Sequence, residues 1–146
     1  MRTTSAPTRL RLPSLLAAGA YLLVVFCLTL APRFGVSGAL TPNFTPLASI
    51  VDLLFDSAAT PALMVKNIVG NILLLAPLGA LLYAGLGWTW LRALGGVAVV
   101  SVFIEIIQGL GLTDGRQANV DDLLLNLLGA GIAIFTVRAL VTSEAR

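Results

Sequence analysis

The chain has 146 residues, one domain's worth, of which 58% are hydrophobic and only 11% charged, with a mean hydropathy of +0.96. That much apolar surface exceeds what a soluble core of this size hides, so the chain reads as an integral membrane protein. The net charge of +2 comes without a basic patch or interleaved aromatics, which argues against nucleic acid, and the lack of histidine excludes Ser-His-Asp and Cys-His catalysis and histidine-ligated zinc.

Residues 1–13 read as a cytoplasmic tail, and residues 14–146 as one four-helix transmembrane domain. The first apolar run, 14–31, follows Arg2, Arg9 and Arg11 and lacks a signal-peptide cleavage pattern, so it reads as a retained span. Cys27, the lone cysteine, sits mid-helix as packing. In the long loop that follows, Thr45-Pro46 is a helix start signal. Beyond it Leu47, Ile50, Val51 and Leu54 recur at helical spacing opposite Ser49, Asp52 and Asp56, which predicts a short amphipathic helix in the membrane interface. Asn43-Phe44-Thr45 matches a glycosylation pattern that is common by chance.

Thr60-Pro61 opens a second span running to about residue 86, with a bend at Pro77. A Gly85-Leu86-Gly87 turn, with Trp88 and Trp90 as interface anchors, leads into a third span ending near residue 112. Asn119 caps the fourth span, which continues to about residue 141. Gly70, Gly79, Gly95, Gly96, Gly129 and Gly131 are expected to permit close helix packing. The fold class is therefore all-α and polytopic. Arg2, Arg9, Arg11, Arg92, Arg138 and Arg146 fall on one side and Arg33, Lys66 and Arg116 on the other, which places both termini in the cytoplasm.

Eight polar residues stand in or beside these apolar runs: Asn67, Asn71, Glu105, Gln108, Arg116, Asp121, Asp122 and Asn126. Unpaired polar groups in hydrocarbon cost several kcal/mol, so they mark a site by default. The topology brings all eight to the outer half of the bundle. Asn67 and Asn71, Glu105 and Gln108, and Asp122 and Asn126 each share a helix face, which predicts a polar hollow with Glu105 at its base and Arg116 at its rim. Glu105 is expected roughly 10 Å below the outer helix end. Structural roles compete with this reading. Asn119 and Asp122 resemble a capping box, and Asn71 and Gln108 suit interhelical hydrogen bonding. Glu105 is hardest to explain blandly, with Arg116 the nearest counter-charge.

The ordered set Asn67-x3-Asn71 leading into Pro77-Leu78-Gly79, Glu105-x2-Gln108, Arg116, Asn119-Val120-Asp121-Asp122 and Asn126-x2-Gly129 resembles the VanZ-like membrane family. The likeness includes Thr29-Leu30-x-Pro32 and Asn43-Phe44-x-Pro46, and departs only at Asn119, where the family often has an acidic or another polar residue. The resemblance implies a small polytopic protein of the bacterial cytoplasmic (inner) membrane, of a family whose founding members are associated with teicoplanin resistance. It names no cofactor.

Two mechanisms suit these residues. In the first, the hollow binds an envelope lipid or lipid-linked saccharide, Arg116 pairing with phosphate while Asn67, Asn71, Gln108 and Asn126 read polar groups. In the second, a membrane-embedded enzyme uses Glu105 as acid or base, with Asp121, Asp122 and Asn126 holding Mg²⁺ or Ca²⁺. Amides outnumber nucleophiles, which favours binding.

Overall fold

The computed structural model describes residues 8–31, 41–56, 60–113 and 116–144. Arg2, Arg33 and Arg146 of the charge argument, and Pro32, lie outside the described residues. Among those described, every regular element is helical, and four helices are long and apolar enough to cross a membrane. We label them α1 (Thr8–Leu30), α3 (Pro61–Gly85), α4 (Trp90–Gly109) and α5 (Val120–Glu144), with the short α2 (Ala48–Phe55) between the first two.

The ends of these helices follow local chemistry. α1 begins at Thr8, earlier than residue 14, with Pro13 inside its second turn, where proline removes only one hydrogen bond. Thr60 caps α3 as expected, its hydroxyl accepting from the Leu63 N–H at 3.3 Å. α3 is interrupted at Leu75 (φ −112°, ψ 2°), two residues before Pro77, whose missing N–H leaves the Leu73 carbonyl without its helical donor. The Tyr21 hydroxyl of α1 donates to the Leu74 carbonyl at this break, at 2.7 Å. Two π turns, Val65–Val69 and Leu81–Gly85, flank it.

Gly87 (φ 67°) makes the turn into α4, and the Thr89 hydroxyl caps α4 through the Arg92 N–H at 3.3 Å. α4 ends at Gly109, three residues short of the expected limit, because Gly111 adopts φ 70° and closes a Schellman cap. In that cap the Gly111 N–H reaches the Gln108 carbonyl at 3.1 Å and the Leu112 N–H reaches that of Ile107 at 3.3 Å. Glu105 therefore lies only about 6 Å, one turn, from the helix end.

α5 is the centre of the bundle, packing against α2, α3 and α4, while α1 lies on α4 and the C-terminal half of α3. The core is built from Val25, Leu75, Leu78, Val97, Ala130 and Ile134 with their neighbours. Leu23, Val24, Leu73, Val99 and Ile132 point outward, as a lipid-facing surface requires. Gly129 admits the Ile72 carbonyl where a Cβ would overlap it, and a Cβ on Gly79 would come within 3.0 Å of Ala130. Gly96 is similarly close to Leu82 and Trp88, but Gly70, Gly95 and Gly131 face open space. Close packing, expected at all six, holds at three.

Candidate functional site

The α2 end of the bundle is organised by two carboxylates that serve helices other than their own. Asp121, in the first turn of α5 and only 1% exposed, accepts the Leu47 N–H at 2.5 Å through Oδ1. Its Oδ2 accepts the N–H groups of Ser49 at 2.8 Å and Ile50 at 3.4 Å. These are the orphan amides at the start of α2, so α5 supplies the cap that the Thr45-Pro46 signal was expected to give. α2 accordingly begins at Ala48, and Leu47 sits in the left-handed region at φ 66°. That conformation costs a non-glycine residue about 1–2 kcal/mol and is held here by the Asp121 bond.

Glu105 plays the corresponding part for α5. Its Oε2 accepts the Asn119 N–H at 2.6 Å. In a capping box this amide belongs to the third-position acid. Here Asp122 instead accepts from the Asn119 side-chain amide at 3.2 Å, and a neighbouring helix supplies the reciprocal bond. Asn119 does cap α5, its Oδ1 accepting the Asp121 N–H at 3.1 Å. The same oxygen also accepts from Ser49 Oγ and Asn43 Nδ2, each at 3.2 Å. Asn43 is tied in further: its N–H reaches the Ala118 carbonyl at 2.9 Å, and its own carbonyl accepts from Val120 at 3.0 Å. Its Nδ2 also donates to Ser49 Oγ at 2.7 Å.

Beside this network lies a cavity of about 420 Å³. α2 contributes Ser49, Ile50 and Leu53; α3 contributes Lys66, Asn67, Ile68 and Asn71; α4 contributes Gln108. Arg116, Gln117 and Asn119 come from the loop before α5, and Asp121, Asp122 and Leu125 from α5 itself. Six of the eight polar residues singled out in the sequence thus share one cavity wall: Asn67, Asn71, Gln108, Arg116, Asp121 and Asp122. Glu105 and Asn126 stand outside it. Asn126, 2% exposed, donates from Nδ2 to Ser101 Oγ at 2.9 Å between α5 and α4. Gln108 lines the cavity and also binds helices together, its Nε2 donating to the Thr29 carbonyl at 3.0 Å. Arg116 donates from Nη2 to the Leu28 carbonyl and from Nε to that of Ala31, fastening the loop to the end of α1.

Several wall residues carried weak or no signal. Lys66 precedes Asn67 in the same turn but counted only as a loop charge, and Gln117 was passed over beside Arg116. Ser49 was placed only on a polar helix face, and Asn43, whose sequon match suggested nothing, lies outside the wall but ties α2 to the start of α5.

The wall supports some chemistry better than other chemistry. Lys66 and Arg116 supply positive charge, and five amide side chains (Asn67, Asn71, Gln108, Gln117, Asn119) offer donors and acceptors. Ser49 Oγ, the hydroxyl in this wall, has amide partners rather than a base. Asp121, Asp122 and Asn126 do not form a metal cradle. Both Asp121 oxygens accept backbone amides, Asn126 points to Ser101, and among the described residues no three acidic or thiol side chains are grouped to hold an ion.

A family model described as VanZ/LLP1 matches residues 18–141, from the first span through most of the last. No curated protein and no solved structure matches the chain.

Proposed function

The chain belongs to the VanZ/LLP1 family, and on that footing we propose that its cavity binds or remodels an envelope lipid or a lipid-linked cell-wall component. In this reading the protein sits in the bacterial inner membrane with both termini cytoplasmic, and the cavity opens on the extracytoplasmic side. The observation that carries it is the wall itself: two cations, two carboxylates and five amides around about 420 Å³, at one end of an otherwise apolar bundle. Phosphate is met by the cations, and sugar or peptide groups by the amides. The reading extends to a contribution to glycopeptide resistance of the teicoplanin type, which rests on the family alone.

Catalysis has less support. Glu105, the candidate acid or base, spends an oxygen on the Asn119 amide and lies outside the cavity wall. Binding is tested by measuring saturable retention of envelope lipids on the purified protein, with Lys66→Ala and Arg116→Ala as variants. Saturable retention that both variants weaken supports the reading, and retention indifferent to both refutes it. Wall-precursor and lipid analysis of a deletion strain complemented with Glu105→Gln separates the two mechanisms. Restoration of the wild-type profile supports binding; a profile identical to the deletion supports catalysis.

A further inference from the structure

Ten polar side chains line the cavity, and six of them already have partners within the protein. Asp121 and Asn119 cap helices, Ser49 donates to Asn119, and Asp122 accepts from the Asn119 amide. Gln108 and Arg116 hold carbonyls around the end of α1. The other four are Lys66, Asn67, Asn71 and Gln117, whose side chains make no hydrogen bond or ion pair with the described residues. Three of these four stand on α3, where the π turn Val65–Val69 sets their register. There the Gly70 N–H reaches the Val65 carbonyl, so five residues close the turn that four close in an α-helix. Lys66 and Asn71, five apart, therefore share a face as i,i+4 partners do, whereas unbroken α spacing sets them about 140° apart around the axis.

We propose that the first turns of α3 are the reading edge of the cavity, taking one phosphodiester of a lipid headgroup at Lys66 and its hydroxyl-bearing substituent at Asn67, Asn71 and Gln117. The proposal rests on the lipid-binding reading above and names its ligand class. Lys66 is a single positive charge and matches a single anionic group, while each carboxamide both donates and accepts, as hydroxyls require. Asp121 and Asp122 offset the two cations of the wall, so the attraction is local to Lys66 and a headgroup of higher negative charge gains nothing further. A neutral glycolipid engages the amides equally well and forgoes Lys66. The amides therefore set how much lipid is held, and Lys66 sets which.

The test uses the full chain in nanodiscs of equimolar phosphatidylglycerol and diglucosyldiacylglycerol, with retained lipid counted by native mass spectrometry. Lys66 is exposed, so wild type is expected to retain the phosphodiester lipid over the glycolipid by roughly fivefold, the upper worth of an exposed charge pair. Lys66→Gln brings that ratio to about one. Lys66→Gln/Val69→Lys leaves it there, because it returns the charge at an exposed position two residues from Asn71, off the shared face. A ratio unchanged in the first variant overturns the Lys66 site, and one restored in the second overturns it in favour of general charge attraction. Asn71→Ala lowers both lipids together; retention indifferent to it overturns the role given to the amides. Millimolar inorganic phosphate leaves the lipid in place; displacement overturns the assignment to a lipid in favour of a soluble phosphate. Equal retention of the two lipids by wild type overturns the phosphodiester preference alone. Retention of neither lipid overturns the lipid-binding reading beneath it.

Discussion

Removing the Asp121 carboxylate should release α2 without unfolding the bundle. α2 has eight residues, none fully buried, and a helix of that length does not persist in isolation. Its first amides rest on Asp121 through contacts of 2.5, 2.8 and 3.4 Å, two of them short and one marginal. Hydrogen bonds to a charged acceptor contribute about 1.5–3 kcal/mol each, so losing two good ones that share a single carboxylate costs about 3 kcal/mol. Much of that cost falls on α2 alone, because the α5 side of the contact remains packed against α3 and α4. Three kcal/mol corresponds to roughly a hundredfold rise in the undocked population of α2. Hydrogen exchange read by mass spectrometry should therefore show Asp121→Ala accelerating exchange over residues 47–55 by about two orders of magnitude, with α4 unchanged. Asp121→Asn, which keeps one acceptor but turns an NH₂ toward a donor, should fall between. Wild-type protection of α2 in Asp121→Ala refutes the reasoning, as does an equal loss from Asp122→Ala.

Glu105→Ala, which strips the acceptor from the Asn119 amide, should lower stability by about 2 kcal/mol in thermal unfolding, whereas Glu105→Gln retains an oxygen and should cost less than about 1 kcal/mol. Gly129→Ala forces a methyl into the Ile72 carbonyl. It should destabilise by about 3 kcal/mol or more, against less than about 0.5 kcal/mol for Gly131→Ala, compared by thermal stability in detergent. A double-mutant cycle on Ser101→Ala and Asn126→Ala should give a coupling of about 0.6–1.7 kcal/mol, the range for interhelical hydrogen bonds in membranes, and a value near zero would deny that the pair interacts.

Much of the architecture was legible because it depends on residues close together in the chain. Four apolar runs of spanning length gave four spans, and Thr60-Pro61, Pro77 and Asn119 marked a start, a break and a cap through their own backbone chemistry. The convergence of Asn67, Asn71, Gln108, Arg116 and Asp122 followed from counting crossings, since alternate helix ends must meet on one side.

Only the tertiary structure decided which polar groups remain available to a ligand. Asp121 looked like its neighbour Asp122, yet its partners lie 74 and 72 residues away in the chain and consume both of its oxygens. Glu105, the strongest site signal in the sequence, is spent on Asn119, while Lys66 joins the wall as an ordinary charge beside Asn67. Hydropathy and helical spacing are sums over near neighbours, so the sequence by itself determined where polar groups stand in depth. The partner each group takes depends on how separate helices rotate and cross, and that geometry turned Glu105 and Asp121 into helix caps and left Asp122 with amides and cations in the cavity wall.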